Sequence, residues 1–168
     1  MQLKQRVFIG IDPDTNKSGF AVVNKALAKV VQYEALPFFK LLSKIQTVHS
    51  AYKDDMVVIV EAGWKNDITN FHKASGKQGQ RIALNVGRNQ QVGMLVVEYC
   101  KENGIEVIEA SPLVKGWKGK DRKITHEELA YFTGITGKSN QETRDSVLIC
   151  WYYAGLPIKI KPICNGKY

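Results

Sequence analysis

Cysteine is scarce in this sequence. Cys100, Cys150 and Cys164 are an odd three, and none forms a C-x-x-C or C-x-x-H pair. That argues against a disulfide framework and against a thiolate zinc site, and it suggests a reducing compartment. Long apolar runs are missing as well. No stretch approaches the ~18 residues of a membrane span. The N-terminal MQLKQRVFIGID has no long apolar core of the signal-peptide kind. A soluble, cytoplasmic protein is expected. Internal repeats and low-complexity linkers are absent, which excludes solenoids and tethered modules. Acidic residues are in deficit: 16 Asp and Glu stand against 24 Lys and Arg, a net charge of +8. Such a chain is drawn to polyanions, of which nucleic acid is the commonest large one. The bland alternative is a basic protein that binds nothing specific.

What remains is ordinary globular material. The 168 residues are 44% hydrophobic and 24% charged, which suits one compact domain over 1–168, with a core of about 5–155 and a basic tail at 156–168. Arg6–Asp12 and Phe20–Val23 are apolar runs joined by the turn-rich PDTNKSG, a hairpin pattern. Val30–Leu36 would add a third antiparallel strand. Phe39–Tyr52 has helical apolar spacing. Met56–Val60, apolar at every position, suits a central strand covered on both faces. Arg81–Lys101 reads as a long helix and Glu106–Glu109 as a short strand. Thr125 with Glu128, and Ser139 with Glu142, have the spacing of capping boxes that open two last helices. Three strands in a meander, followed by alternating helices and strands, predict an α/β fold: a mixed five-stranded sheet flanked by helices.

Against that frame three carboxylates stand out. Asp12 ends the first strand and Glu61 ends MVVIV. Asp145 lies on the last helix, three, four and seven residues before Leu148, Ile149 and Tyr152, which places it on the core-facing side. Converging buried carboxylates repel one another, and a divalent cation resolves the conflict. Hard oxygen donors select Mg²⁺ or Mn²⁺ over zinc. Glu142, three residues before Asp145, would complete a set of four, unless it serves only to cap its helix. Each carboxylate also has a plainer reading: Asp12 as a turn initiator before Pro13, Glu61 as a solvent-facing strand end, Asp145 as the partner of Arg144 or a nearby lysine.

These segments resemble the motifs of RuvC-type Holliday junction resolvases, of the RNase H-like superfamily. GIDPDTNKSGFAVV is similar to the first motif, VVIVEAGW to the second and NQETRDSVLICWYYAG to the third, so the likeness spans residues 8–155. Two departures are Asp14, where the bacterial enzymes have glycine, and Glu142, where Asp or His is more usual. With no further domain in the sequence, they suit a phage-encoded member. The resemblance implies the RNase H-like fold and a metal set of Asp12, Glu61, Glu142 and Asp145 holding two Mg²⁺ per site. It also implies paired nicking of a four-way junction to give 5′-phosphate ends, and a homodimer formed through the Arg81–Lys101 helix. No nucleotide cofactor and no membrane are implied.

The DNA-binding set divides into an aromatic and two basic clusters. By the resemblance, Trp64 would insert at the junction crossover and stack on a base. Its polar neighbours favour an exposed loop, though a core tryptophan is the plainer reading, and Phe71 is the fallback. Lys65, Lys73, Lys77, Arg81 and Arg88 form one basic group. Lys115, Lys118, Lys120, Arg122 and Lys123 form the other. Both would position phosphates without reading sequence, or they are simply solvated charged loops. The resemblance implies that lysines of the second group lie beside the scissile phosphate; Lys115 and Lys123 are the choices, with nothing to set them above Lys118 or Lys120.

Rival functions remain. One is a flap or fork endonuclease of the same fold, and another is a catalytically silent DNA-binding module. GIDPDTNKSG also resembles the phosphate-binding hairpin of actin-like ATPases, but those need a second duplicated domain.

Overall fold

A computed structural model of the chain describes residues 5–65, 76–114 and 116–160. Strands β1 (Val7–Asp12), β2 (Ser18–Asn24) and β3 (Lys29–Leu36) form the expected antiparallel meander. Its first turn is organised by Asp14, whose Oδ1 accepts from the backbone N–H of Asn16 at 2.8 Å and of Lys17 at 3.2 Å. An Asp side chain that bonds the backbone two and three residues on is an Asx-type turn. It gives the departure at Asp14 a local structural role.

Helix α1 (Phe38–Tyr52) leads to β4 (Met56–Glu61), which pairs parallel to β1. Helix α2 (Gly76–Glu102) leads to β5 (Val107–Ala110), parallel to β4. The sheet order is β3-β2-β1-β4-β5. Helix α2 starts five residues before Arg81 because its first turn is polar and exposed, and so leaves no apolar periodicity to read. Helix α3 (His126–Thr133) opens with the Thr125–Glu128 capping box as expected, and α4 (Gln141–Tyr153) follows.

Alternate residues of the central strands feed two cores, as period-2 side chains must. Ile9, Ile11, Val58 and Val60 pack with Leu41 and Ile45 of α1 and Val96 and Val97 of α2. Phe8, Val57 and Ile59 pack on the other face with Ile149, Cys150 and Trp151 of α4. Cys100 and Cys150 are buried free thiols. Among the described residues no helix is long and apolar enough to cross a membrane.

Helix α4 lies unusually close to the sheet because two glycines make room for it. A methyl group at Gly10 would run into the backbone carbonyl oxygen of Ser146, and one at Gly19 into that of Glu142. The small side chains Ser146 and Cys150 complete the contact, and the Cys150 thiol donates to the Phe8 carbonyl at 2.9 Å. Both contacts at Gly19 and Gly10 are with backbone, which cannot rotate aside. Gly19→Ala is therefore expected to cost about 1–3 kcal/mol in urea unfolding, as overpacking does. Gly87→Ala, where the added methyl on α2 meets open space, should be neutral or stabilise by up to about 1 kcal/mol. Equal stabilities for the two variants would contradict the close approach.

Candidate active site

Strand direction brings the first two carboxylates together. β1 and β4 run parallel with Ile11 paired to Val60, so the residues that follow, Asp12 and Glu61, leave the sheet side by side at its carboxyl edge. In open α/β sheets that edge is where ligands bind.

Helix α4 delivers the others, with one correction to the sequence reading. Its cap is Asn140, not Ser139. The Asn140 Oδ1 accepts from the Thr143 backbone N–H at 2.9 Å, and the Thr143 hydroxyl oxygen accepts from the Asn140 N–H at 3.0 Å. Asn caps a helix as well as Ser does, and Ser139 is engaged elsewhere, by His126 Nδ1 at 2.8 Å and through its carbonyl by Arg144 at 3.1 Å. Glu142 is thus not a capping-box partner. It sits in the first helical turn, where its charge suits the helix dipole.

Asp145 is held at both oxygens. Gln141 Nε2 donates to Oδ1 at 2.7 Å and Lys123 Nζ to Oδ2 at 3.3 Å. Arg144, a partner considered for Asp145, instead bonds the Ile124 carbonyl and the Gln141 amide oxygen, both at 3.0 Å. The core-facing reading of α4 holds at Leu148 and Ile149 but not at Tyr152, which is 53% exposed. At that last turn the neighbouring walls are residues 111–114 and Trp117, which leave a cavity beside the ring.

Asp12, Glu61, Asp145 and Lys123 line one cavity of about 80 Å³, walled by Leu113, Trp117 and Leu148 among others. Burial, then the charges of Glu61 and Asp145, push the Asp12 carboxyl well above its ordinary range. Lys123 offsets part of this, and Glu142 adds to it. Three negative charges are therefore felt at one enclosed carboxyl. Among the described residues no three carboxylate, histidine or cysteine groups are drawn tightly enough to grip one ion as they stand. The donors nevertheless fit a hard divalent cation in kind: all are carboxylate oxygens, and their mutual repulsion is what such an ion relieves.

The two basic clusters have different environments. Lys77, Arg81 and Arg88 are exposed on α2. At about 100° per residue they fall within roughly 40° of one another, a single cationic stripe. Asn89 ties this helix to the site by bonding the Thr15 N–H at 3.0 Å and the Asp14 carboxylate at 3.3 Å. Lys118, Lys120 and Arg122 are exposed on the loop before α3, and Lys123 turns inward. Lys73, Lys115 and Phe71 lie outside the described residues, as does the tail from 161 onward.

No sequence-family model matches this chain, and no curated protein does. Solved structures do. RuvC of T. thermophilus in complex with a Holliday junction substrate is 17% identical, with a TM-score of 0.56 over 87% of this chain and 91% of that one. Another Thermus thermophilus RuvC structure is 15% identical, with a TM-score of 0.53 over 89% and 96%. The chain has the RNase H-like fold of RuvC. The likeness read from the three motifs is borne out as architecture, and the grouping of carboxylates on that RuvC-like sheet comes from this chain's own geometry.

The aromatic expected by the RuvC resemblance to stack at a crossover is placed otherwise. Trp64 is half-buried, packed against the core cluster of β1, β4, α1 and α2. Its six-membered ring lies over Gly93 of α2, where a methyl group would collide with it. Its indole N–H donates to Glu109 Oε2 at 3.2 Å. Burial alone would raise the Glu109 carboxyl, but the indole N–H and the Lys65 and Lys101 ammonium groups outweigh it and hold it below its ordinary value. Lys65 is correspondingly engaged, with its Nζ 3.3 Å from the Glu109 carbonyl oxygen. Trp64 and Lys65 join β4 to α2 and β5; the Trp64 ring is packed against the protein, whereas Lys65 stays exposed beside Glu109. Trp64→Ala should then lower stability, by up to about 3–5 kcal/mol, the loss for a fully buried tryptophan. A melting temperature unchanged by the substitution, with junction cutting lost, would restore the wedge.

Proposed function

We propose that this protein is a divalent-metal-dependent endonuclease acting on branched DNA, with the four-way junction as substrate. The observation that carries the reading is the meeting of Asp12, Glu61 and Asp145 around one cavity at the carboxyl edge of a RuvC-like sheet. The RuvC structure that shares this fold is itself in complex with a Holliday junction substrate.

Asp12, Glu61 and Asp145, with Glu142 beside them, would hold Mg²⁺ or Mn²⁺, two ions per site. When bound, such ions activate a water for attack on phosphorus and stabilise the departing 3′ oxygen, leaving a 5′-phosphate. The protein's own groups supply the rest. Gln141 and Lys123 fix the orientation of Asp145. The Lys123 ammonium, inside the same cavity, lies where it would meet a phosphate and offset charge building on it. The stripe Lys77, Arg81 and Arg88, with Lys118 and Lys120 on the other loop, would receive flanking phosphates.

A homodimer would bring two such sites to opposed strands, and a two-fold assembly suits a junction of near two-fold symmetry. The exposed apolar residues Ile82 and Val86, one turn apart on α2, support self-association through that helix. With Trp64 packed away, the feature that singled out a crossover in the sequence is gone. That favours keeping a flap or fork endonuclease as the second reading.

Synthetic four-way junction, flap and linear duplex decide between them. The junction is expected to be nicked in Mg²⁺ and not in chelator, and faster than flap or duplex. Asp145→Asn should abolish nicking and leave junction binding intact, because it removes charge from the site without removing the basic surfaces. Mg²⁺-dependent nicking by Asp145→Asn would overturn the site. Preference for the flap would replace the junction by the second reading.

A further inference from the structure

A second cavity, of about 420 Å³, adjoins the carboxylate site. Pro112, Leu113, Val114, Trp117, Tyr152 and Tyr153 are among its lining residues. The two cavities share Leu113, Val114, Trp117 and Leu148 as walls, so they lie side by side. The proposed chemistry makes no use of the second half.

Its composition is distinctive. Two tyrosines, a tryptophan and a proline offer flat apolar faces. The tyrosine rings meet edge-on with centroids 5.5 Å apart, and Trp117 is itself steadied by stacking on Phe132 at 6.1 Å. Tyr152 is 53% exposed and Val114 92% exposed, so the rim is open to solvent. Exposed cations adjoin two of its lining residues in the chain: Lys118 follows Trp117 and Lys159 follows Ile158. A flat, apolar group carried on a polyanionic backbone matches this combination of aromatic floor and cationic rim.

We propose that this cavity receives an unstacked base of the bound DNA strand, next to the phosphate that lies at the carboxylates. The inference rests on the nuclease reading for the placing of that phosphate. A nucleotide's base and phosphate are joined through one sugar, and the shared walls put the two cavities in the same relation. Every base has a π face, so the aromatic floor holds the base by stacking, in a sequence-tolerant way. Extrusion is least costly where stacking is already broken, as at a branch point. The cavity thereby supplies a preference for branched over linear DNA that Trp64 does not.

The test scans 2-aminopurine, one position at a time, through the strands of a synthetic four-way junction bound in chelator. The emission of this base changes when it leaves its stacked neighbours. A change confined to one position beside the crossover is expected. Tyr152→Ala should abolish it and weaken junction binding by roughly five- to a hundredfold, the range that base–aromatic stacking covers. Val114→Asp, which places a negative charge at the most exposed point of the rim and disturbs no core contact, should abolish it too. Tight binding with no responsive position overturns the proposal, as would follow if the cavity seats another part of this chain or a protein partner. A response that persists in both variants overturns it as well. Nicking in Mg²⁺ is scored separately. A response without nicking overturns the nuclease reading and keeps the cavity, whereas nicking without a response overturns the cavity alone.

Discussion

The site depends on how closely α4 can approach the sheet. Gly10 and Gly19 present bare backbone to the helix, and the carbonyls of Ser146 and Glu142 occupy the space that side chains would fill. Asp12 is paired directly with Gly19 across the β1–β2 ladder. The contact that seats the helix is therefore next door to the first carboxylate. With bulkier residues at either glycine, α4 would ride higher, and Glu142 and Asp145 would be carried away from Asp12 and Glu61. Packing and chemistry are set here by the same two positions.

That closeness has an electrostatic consequence. Parallel β1 and β4 bring two carboxylates to one edge, and α4 adds two more, so that folding gathers charge of one sign around an enclosed Asp12. Lys123 is the protein's own partial answer, paired with Asp145 at 3.3 Å and lowering the repulsion felt by Asp12. Gln141 takes the other Asp145 oxygen and is itself fastened by Arg144. Asp145 is thus oriented by a neutral and a cationic neighbour, and around Asp12 the negative groups still outnumber the positive one. Beyond them, an aromatic-lined depression adjoins the carboxylate site across the walls the two share.

Much of this was legible in the sequence, and the rest was hidden for definite reasons. Asp12 and Glu61 stand out because each ends a strand that is apolar at every position. Asp145 stands out because three- and four-residue spacing fixes a helix face. The fault at the last helix was local: Ser139 and Asn140 are adjacent, both are good caps, and only the backbone shows that Asn140 with Thr143 was chosen. Gln141 could have been found, since it lies four residues before Asp145 on the same face. Trp64 could not, because its burial is decided by Gly93, remote in sequence, and its polar neighbours signalled a loop. The roles of Gly10 and Gly19 are equally non-local, since a glycine inside a strand does not announce which helix it admits.

The central claim is that folding forces mutually repelling carboxylates together for a cation to bind. The most direct measurement is the melting temperature of wild-type and Asp12→Asn protein at neutral pH, in chelator and in Mg²⁺. An acid whose folded value is raised binds its proton more tightly when folded. Its contribution to stability is greatest at low pH and falls as pH rises from the unfolded value through the folded one. Asp12 is thus a burden at neutral pH without metal. The account predicts that Asp12→Asn melts higher than wild type in chelator, by roughly 2–4 °C for each kcal/mol relieved in a chain of this size. It predicts further that Mg²⁺ raises the wild type and has little effect on the variant. A variant that melts lower in chelator, with both proteins shifted equally by Mg²⁺, would contradict it.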